Sequence, residues 1–474
     1  MNRILKNTST LFGAHLLGGL SSLILTLWLM PQFFTENELG GYFVAIALTN
    51  LIASLTELGI QNPLIREMTL NLSQTRHFLG NALLVRLVLS VIAYTLMIVI
   101  GIILWSTSAI VTMVVYLGLA EIINSIAQLY RSVFRAHEEM KYEALTVLAE
   151  RGTLFLVGGG AILLGYNIVS VCQVWLFAGC LNLVLSIAFA RFRFTPLSFK
   201  PSRKVIAVLM RQALPFAVGN LFNLVYFRID AIMLSKLSPD GVDANTWYGL
   251  AYTLVNALTI LPGAFLMGAM FPVLSRVYVN ERDRLPQAYT FAVRWMVICG
   301  IPLAIGLATL SHEIPKLLFS SRYTPDTIEK ISSALLWLSA TGGMVFLSTV
   351  VITMLRAADK RRVFSILMGT TALLNIILNF ILIPRLNHIG AAIAMVISEI
   401  YLLIIGFSYI SKRIAKLTEF SFIFKVVIIS AVMGIGLVLL KALLSIWILI
   451  PLAMIFYFGG IVLWGEFWIG FESD

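Results

Sequence analysis

From Leu11 to about residue 465 the chain is a succession of apolar runs separated by short segments rich in Lys and Arg. Each run is roughly 20 residues long, the length that carries an α-helix across a bilayer. Lipid offers no partner to a free backbone N–H or C=O, so each run must close its own hydrogen bonds as a complete helix. The pattern predicts helices at 10–31, 40–62, 79–104, 109–131, 145–165, 169–190, 212–236, 245–271, 287–310, 331–355, 363–384, 389–410, 422–441 and 446–465. Composition agrees: 59% of residues are hydrophobic and 12% charged, against about 25% charged in an ordinary soluble domain. Such a chain cannot cover itself with a solvated surface. The expected fold class is all-α and membrane-integral, with about 14 transmembrane helices in a chain of 474 residues.

Basic loops resist translocation, so Lys and Arg placement orients the helices. With the N-terminus inside, 24 of the 34 Lys and Arg fall in inward-facing segments, Arg131 and Arg135 among them, and 6 fall outside. The formal net charge of +11 is therefore read as topology rather than nucleic-acid binding. The N-terminal stretch imitates a secretory signal, but its apolar run is too long and no A-x-A-like site follows, so it is read as the first spanning helix. Cys172, Cys180 and Cys299 lie in apolar runs without C-x-x-C spacing, which disfavours disulfides and thiolate metal sites. No GxxxxGK[ST] or HExxH occurs, so neither ATP hydrolysis nor a metal centre is expected, and the cofactor expectation is none beyond a coupling ion.

An internal repeat is visible. Tyr42-x-x-Ala45-x-x-Leu48-x-Asn50 recurs as Tyr248-x-x-Ala251-x-x-Leu254-x-Asn256, and Arg135-Ala136-His137-Glu138 is echoed by Arg356-Ala357-Ala358-Asp359. The repeat predicts two six-helix lobes related by a pseudo-two-fold axis along the membrane normal. The expected domains are an N-terminal lobe at 1–190, a cytoplasmic inter-lobe linker at 191–211, a C-terminal lobe at 212–410, and a helix pair at 411–474.

The stretch Leu373-Leu-Asn375-Ile-Ile-Leu-Asn379-Phe-Ile-Leu-Ile-Pro384-Arg385, followed by Ile389-Gly390-Ala391-Ala392-Ile393-Ala394 and Ser398-Glu399, resembles a hallmark of the polysaccharide (O-antigen-type) flippases. These belong to the multidrug/oligosaccharidyl-lipid/polysaccharide exporter superfamily. Three looser matches accompany it: Leu39-Gly-Gly41-Tyr42, the Arg135-Ala136 loop, and Leu214-Pro215 through Arg228-Ile-Asp230-Ala-Ile-Met-Leu234-Ser235. The resemblance implies two lobes whose cleft opens alternately to either side, and an oligosaccharide on a polyprenyl diphosphate as cargo. It implies a bacterial cytoplasmic (inner) membrane with both termini cytoplasmic, membrane lipid as a partner, and polysaccharide polymerase or glycosyltransferase machinery nearby. Such flippases usually carry twelve helices; the final pair suggests fourteen, as in the related lipid II flippases. The signature those lipid II flippases often carry around the first helix is absent here, which favours the polysaccharide branch.

Moving a diphosphate and several sugars through hydrocarbon requires a polar, cationic interior. A charged side chain at the bilayer centre costs about 2.5–3.5 kcal/mol, so an intramembrane arginine marks a wet cavity or a partner. Arginine suits phosphate because its planar fork binds bidentately. Arg228, midway along the seventh predicted helix, leads the candidates; pairing with an acid elsewhere is the plainer reading. Arg86 and Arg294 lie early in the third helix of each half, where snorkelling is the alternative. Arg151, beside Glu150, reads as a local structural feature or a cargo contact, and Arg66 sits at a helix end where topology alone explains it.

Among the acids inside predicted spans, Asp230, Glu57, Glu121 and Glu399 are the candidates for H⁺ or Na⁺ coupling, against the alternative that they neutralise arginines; Glu150 is also there. Amides punctuate the spans at Asn50, Asn124, Gln128, Asn220, Asn223, Asn256, Asn375 and Asn379. Interhelical hydrogen bonding is their ordinary role, and sugar contact, for Asn223 and Asn124 first, is the sharper one. Two competing functions remain. A multidrug antiporter shares the two-lobe plan, but an arginine-bearing cavity repels cationic drugs. A polyprenyl-glycan polymerase or glycosyltransferase needs a sizeable outer loop, and the longest here is about 20 residues, near 311–330.

Overall fold

The computed structural model describes residues 2–57, 59–106, 108–194, 200–265 and 270–464, and those residues form helices joined by short turns, with no strand among them. The first stretch runs α1 (Asn2–Leu23), a π-helical segment (Ile24–Leu29), α2 (Met30–Phe33), α3 (Glu36–Glu57), α4 (Gln61–Leu70), α5 (Thr75–Leu104) and α6 (Ser108–Ala136). Then come α7 (Met140–Thr153), a second π-helical segment (Leu154–Gly158), α8 (Gly159–Leu163), α9 (Ile168–Arg193), α10 (Arg203–Leu237), α11 (Asp243–Phe265) and α12 (Phe271–Asn280). The chain ends with α13 (Leu285–Thr309), α14 (Glu313–Phe319), α15 (Pro325–Ala357), α16 (Arg361–Arg413), α17 (Ser421–Leu440) and α18 (Ile446–Leu463).

All fourteen expected helices have a counterpart. Twelve candidate spans are long and apolar enough to cross a membrane among the described residues. One of them, α16, is two helices merged across a break at Asn387, and α11 occupies the eighth expected position. The C-terminal end, and with it the expectation of a cytoplasmic C-terminus, lies outside the described residues. So do the side chains of 214–216, which carry part of one motif, and residues 195–199 of the expected linker.

The chain divides into two compact units. One comprises Met1–Lys236 with Asp240–Thr246, the other Leu237–Pro239 with Trp247–Asp474. In the first, α3, α5, α6, α7 and α9 pack around one another and α1 lies along α7. The helix expected to open the second lobe, α10, is counted with this first unit, and its contacts say why. Asn81 of α5 donates to Lys200 O (3.1 Å) and accepts from Ser202 N (2.7 Å), which pins the entry to α10. Gln212 donates to Glu67 (3.0 Å), and Leu209 and Ala213 join a buried cluster with Leu64, Leu83, Val133 and Phe134. The 240–246 segment is held likewise. Asn37 donates to Asp243 (2.9 Å), Thr246 to Glu36 O (2.5 Å), and a side chain at Gly40 would meet Val242 O at 2.1 Å.

In the second unit α13 packs on α15, α15 on α16, and the terminal pair α17–α18 docks on α13. The docking is specific. Thr418 donates from its N–H (3.0 Å) and its hydroxyl (3.1 Å) to Thr290 Oγ1, and Tyr457 donates to Ile298 O (2.6 Å).

The repeat is legible in the backbone of each unit. A 3₁₀ turn precedes the third helix in both halves, at Leu72–Gln74 before α5 and at Arg282–Arg284 before α13. Both Arg-Ala loops end a helix on an acidic residue in the left-handed region, Glu138 at φ 56° and Asp359 at φ 54°. The capping bonds match too: Glu139 N to Phe134 O, and Lys360 N to Leu355 O.

The motif around 373–399 is a tight reversal between two spans. Asn387 turns the chain at φ 56°, ψ −136° and accepts from Ser238 Oγ at 2.5 Å. A Cβ on Gly390 would sit 2.4 Å from Leu382 O, so glycine lets the two helices close on each other. His388 is buried against the edge of Trp247 and within 3.2 Å of Ser333 Oγ.

Candidate functional site

The first unit holds a buried polar network that crosses three helices. Glu150 of α7 accepts from Asn182 Nδ2 of α9 (2.8 Å), from Asn124 Nδ2 of α6 (3.1 Å) and from Arg131 Nη2 of α6 (3.3 Å). Asn182 also donates to Asn124 (3.1 Å) and accepts from Ser186 (3.3 Å). The side chains of Arg131 and Glu150 are 10% and 6% exposed, so this charge pair is an interior one. The basic pattern of the sequence places Arg131 on the rim, at the end of a helix expected to stop there. The helix instead continues to Ala136 and takes Arg131 inside it. Arg135, one turn on, does reach the end of the helix, where Glu143 accepts from it at 2.8 and 2.5 Å. The sequence does not single out Asn182 and Ser186, because nothing in the linear pattern says which face of α9 meets Glu150.

With Glu150 occupied, Arg151 points elsewhere. Its Nη1 donates to Ser22 Oγ of α1 (3.3 Å), its guanidinium lies 5.5 Å from the Trp175 ring centre, and Trp175 Nε1 donates to Tyr42 Oη (3.1 Å). No carboxylate stands within ion-pair distance of Arg151 among the described residues. Arg228 is half-buried in α10 and makes no hydrogen bond or ion pair with any described residue, Glu121 being within electrostatic reach. Glu121 is similarly within reach of Glu150, Arg151 and Glu57, so these charges share one region of the first unit. Asp230 is buried, 2% exposed, while Glu57 at the end of α3 is exposed.

Arg86 and Arg294 do not share a place. Counted from the 3₁₀ turn that opens each helix, Arg86 is two residues further along than Arg294, about 200° around a helix that turns 100° per residue. Arg86 is 1% exposed, with Nε and Nη1 lacking hydrogen-bond partners among the described residues and Glu57 within electrostatic reach. Arg294 is paired with Glu419 and lies 5.1 Å from the Phe422 ring centre, so it ties α13 to the terminal helix pair. Arg66 is exposed on α4. Asn223 is half-buried, Asn379 donates to Asn375 (3.0 Å) within the motif helix, and Glu399 is fully buried there. Among the described residues no three His, Cys, Asp or Glu side chains are grouped to hold a metal ion.

The model of the polysaccharide biosynthesis protein family matches residues 4–278. The chain belongs to the polysaccharide flippases of the MOP superfamily. The model of the lipid II flippase MurJ family matches residues 152–458, so this flippase has both signatures, overlapping at residues 152–278. A Haloferax volcanii protein described as a probable low-salt glycan biosynthesis flippase, Agl15, is 25% identical over 467 residues, 96% of this chain and 94% of its own length. The fold is similar to that of a solved lipid II flippase MurJ, itself in an inward closed conformation, with a TM-score of 0.75 at 16% identity, covering 98% of this chain and 99% of that one. An inward-facing MATE-family multidrug transporter of the same superfamily gives a TM-score of 0.66 at 16% identity, covering 83% of this chain and 95% of that one. The flippase is thus a multi-pass membrane transporter of polysaccharide biosynthesis, and the terminal helix pair falls within the span shared with MurJ.

Proposed function

We propose that this flippase carries an oligosaccharide linked to polyprenyl diphosphate from the cytoplasmic to the outer leaflet of the cytoplasmic membrane, by alternating access. It makes and breaks no covalent bond. The observation that carries this reading is Arg228, half-buried in the middle of the Ala217–Leu237 span with no hydrogen bond or ion pair to any described residue. An unneutralised guanidinium at that depth is costly in lipid, by about 2.5–3.5 kcal/mol. It is retained because an anion or water meets it, and its fork matches a diphosphate. The family to which the chain belongs supplies the lipid-linked glycan. The O-antigen-type repeat unit, the polymerase and glycosyltransferase partners, and an N-terminus on the cytoplasmic side follow from the same reading. Coupling to H⁺ or Na⁺ would fall to Asp230, Glu121, Glu57 or Glu399.

The experiment is export of surface glycan in cells whose only flippase is this chain. Arg228→Ala is expected to abolish export at normal abundance in the membrane, and Arg228→Lys to restore part of it, because a point charge replaces the fork. Export at the wild-type rate in the alanine variant rejects Arg228 as the diphosphate anchor.

A further inference from the structure

Two π-helical segments lie in the first unit, Ile24–Leu29 after α1 and Leu154–Gly158 after α7, and Arg151 stands just before the second. Single π turns inside α-helices recur at functional sites, because the extra residue per turn re-aims the side chains around it. Here they flank a narrow cleft of about 10 Å³, room for a single oxygen, lined by Ser21, Ser22, Thr26, Phe155 and Trp175, with Arg151 at its wall. The chemistry is mixed in a particular way. The Ser22 and Thr26 hydroxyls and one guanidinium provide hydrogen bonds, Ser21 being spent on Gly18 O (2.9 Å), and an indole and a phenyl ring provide flat apolar faces. Gly18 makes room for the arginine: a Cβ there would meet Arg151 Cγ at 2.8 Å. Glu150, next in sequence, is spent on Arg131, Asn124 and Asn182, and Glu121, within electrostatic reach of Arg151, makes no ion pair with it.

We infer that this cleft is a second cargo subsite, which takes one anionic oxygen on Arg151 with the Ser22 and Thr26 hydroxyls beside it, while the sugar that bears it stays outside the cleft, on the Trp175 side. The inference rests on the flippase reading and deepens it. Arg228 would serve one anionic group and Arg151 another, in the same unit. The shared chemistry is a carboxylate or phosphate oxygen, which the cargo can present either on an acidic sugar or on its diphosphate. A guanidinium held only by one hydroxyl and one ring keeps donors available for such a group.

The test is direct binding, so that it does not depend on transport. The purified full chain is titrated calorimetrically with geranyl diphosphate and, separately, with glucuronic acid. Arg151→Gln is expected to weaken one of the two by about tenfold or more, the loss of one charge-assisted contact, while Arg151→Lys recovers part of it. Loss for glucuronic acid places the sugar's carboxylate in the cleft, and loss for geranyl diphosphate places the phosphate there. A purely structural arginine predicts a lower melting temperature with neither affinity changed in the folded fraction. Should Arg151→Gln fail to fold, Gly18→Ala displaces the side chain while leaving its charge, and the same tenfold loss is expected. Unchanged affinity for both ligands in a folded variant overturns the subsite. A wild-type chain that binds either ligand but moves no lipid-linked glycan in vesicles overturns the flippase reading instead and leaves the subsite standing.

Discussion

Arg294 and Glu419 form a pair whose two halves are buried very differently, and that asymmetry predicts which mutation hurts. The arginine side chain is 5% exposed and the glutamate 54%. Arg294→Met leaves Glu419 facing solvent and refills much of the volume of the arginine stem, so the loss is that of a half-exposed ion pair, about 0–1 kcal/mol. Glu419→Ala leaves a guanidinium inside the protein without its carboxylate. Truncating one partner of a buried, hydrogen-bonded charge pair costs about 2–5 kcal/mol, and the exposure of Glu419 puts this case near the lower end. The Phe422 ring beside the guanidinium softens the cost a little further. The expected order of thermal stability in detergent is wild type, then Arg294→Met, then Glu419→Ala. The double variant should melt close to Arg294→Met, because the guanidinium that would have lost Glu419 is then gone as well. If Arg294→Met is at least as damaging as Glu419→Ala, the argument from asymmetric burial is wrong. Glycan export adds a second reading. Export should persist in Arg294→Met, since this arginine is engaged with Glu419; export lost at unchanged melting temperature would return Arg294 to the cargo site.

Gly390→Ala should destabilise the chain by about 3 kcal/mol, the upper end of ordinary overpacking, because the clash is with the Leu382 backbone carbonyl rather than a yielding side chain. Gly436→Ala, where a Cβ meets nothing within 4 Å, is the control and should melt at or above wild type. Glu150→Gln keeps the shape of the buried network but leaves Arg131 without its counter-charge, at a cost of about 2–5 kcal/mol. Adding Arg131→Met should recover part of that loss, since an apolar replacement of a buried ion pair is often tolerated; a double variant less stable than Glu150→Gln in the same melting experiment refutes the counter-charge argument.

The fourteen helices were legible in the sequence because the bilayer imposes one rule on all of them: an apolar run of spanning length must be a helix, whatever it packs against. The repeat was legible for a related reason. Its Arg-Ala loops and helix entries are local backbone events, and Glu138 and Asp359 turn in the same left-handed conformation in the two halves. Register within the repeat was not so readable, and Arg86 and Arg294, which look equivalent in one dimension, differ by two residues and by what they touch. Partner choice among charges lay beyond the sequence as well. Arg131 looks like a rim residue and is an interior one, while Arg151 looks tied to its neighbour Glu150 and faces Ser22 and Trp175. A helix sends successive side chains about 100° apart, so adjacency in the chain implies separation in space. Hydrophobicity along the chain therefore located the spanning helices but not their ends, as the extension of α6 past Arg131 to Ala136 shows. Only the packing of those helices decided which arginines pair with a carboxylate of the protein and which, like Arg151 and Arg228, have none within ion-pair distance among the described residues.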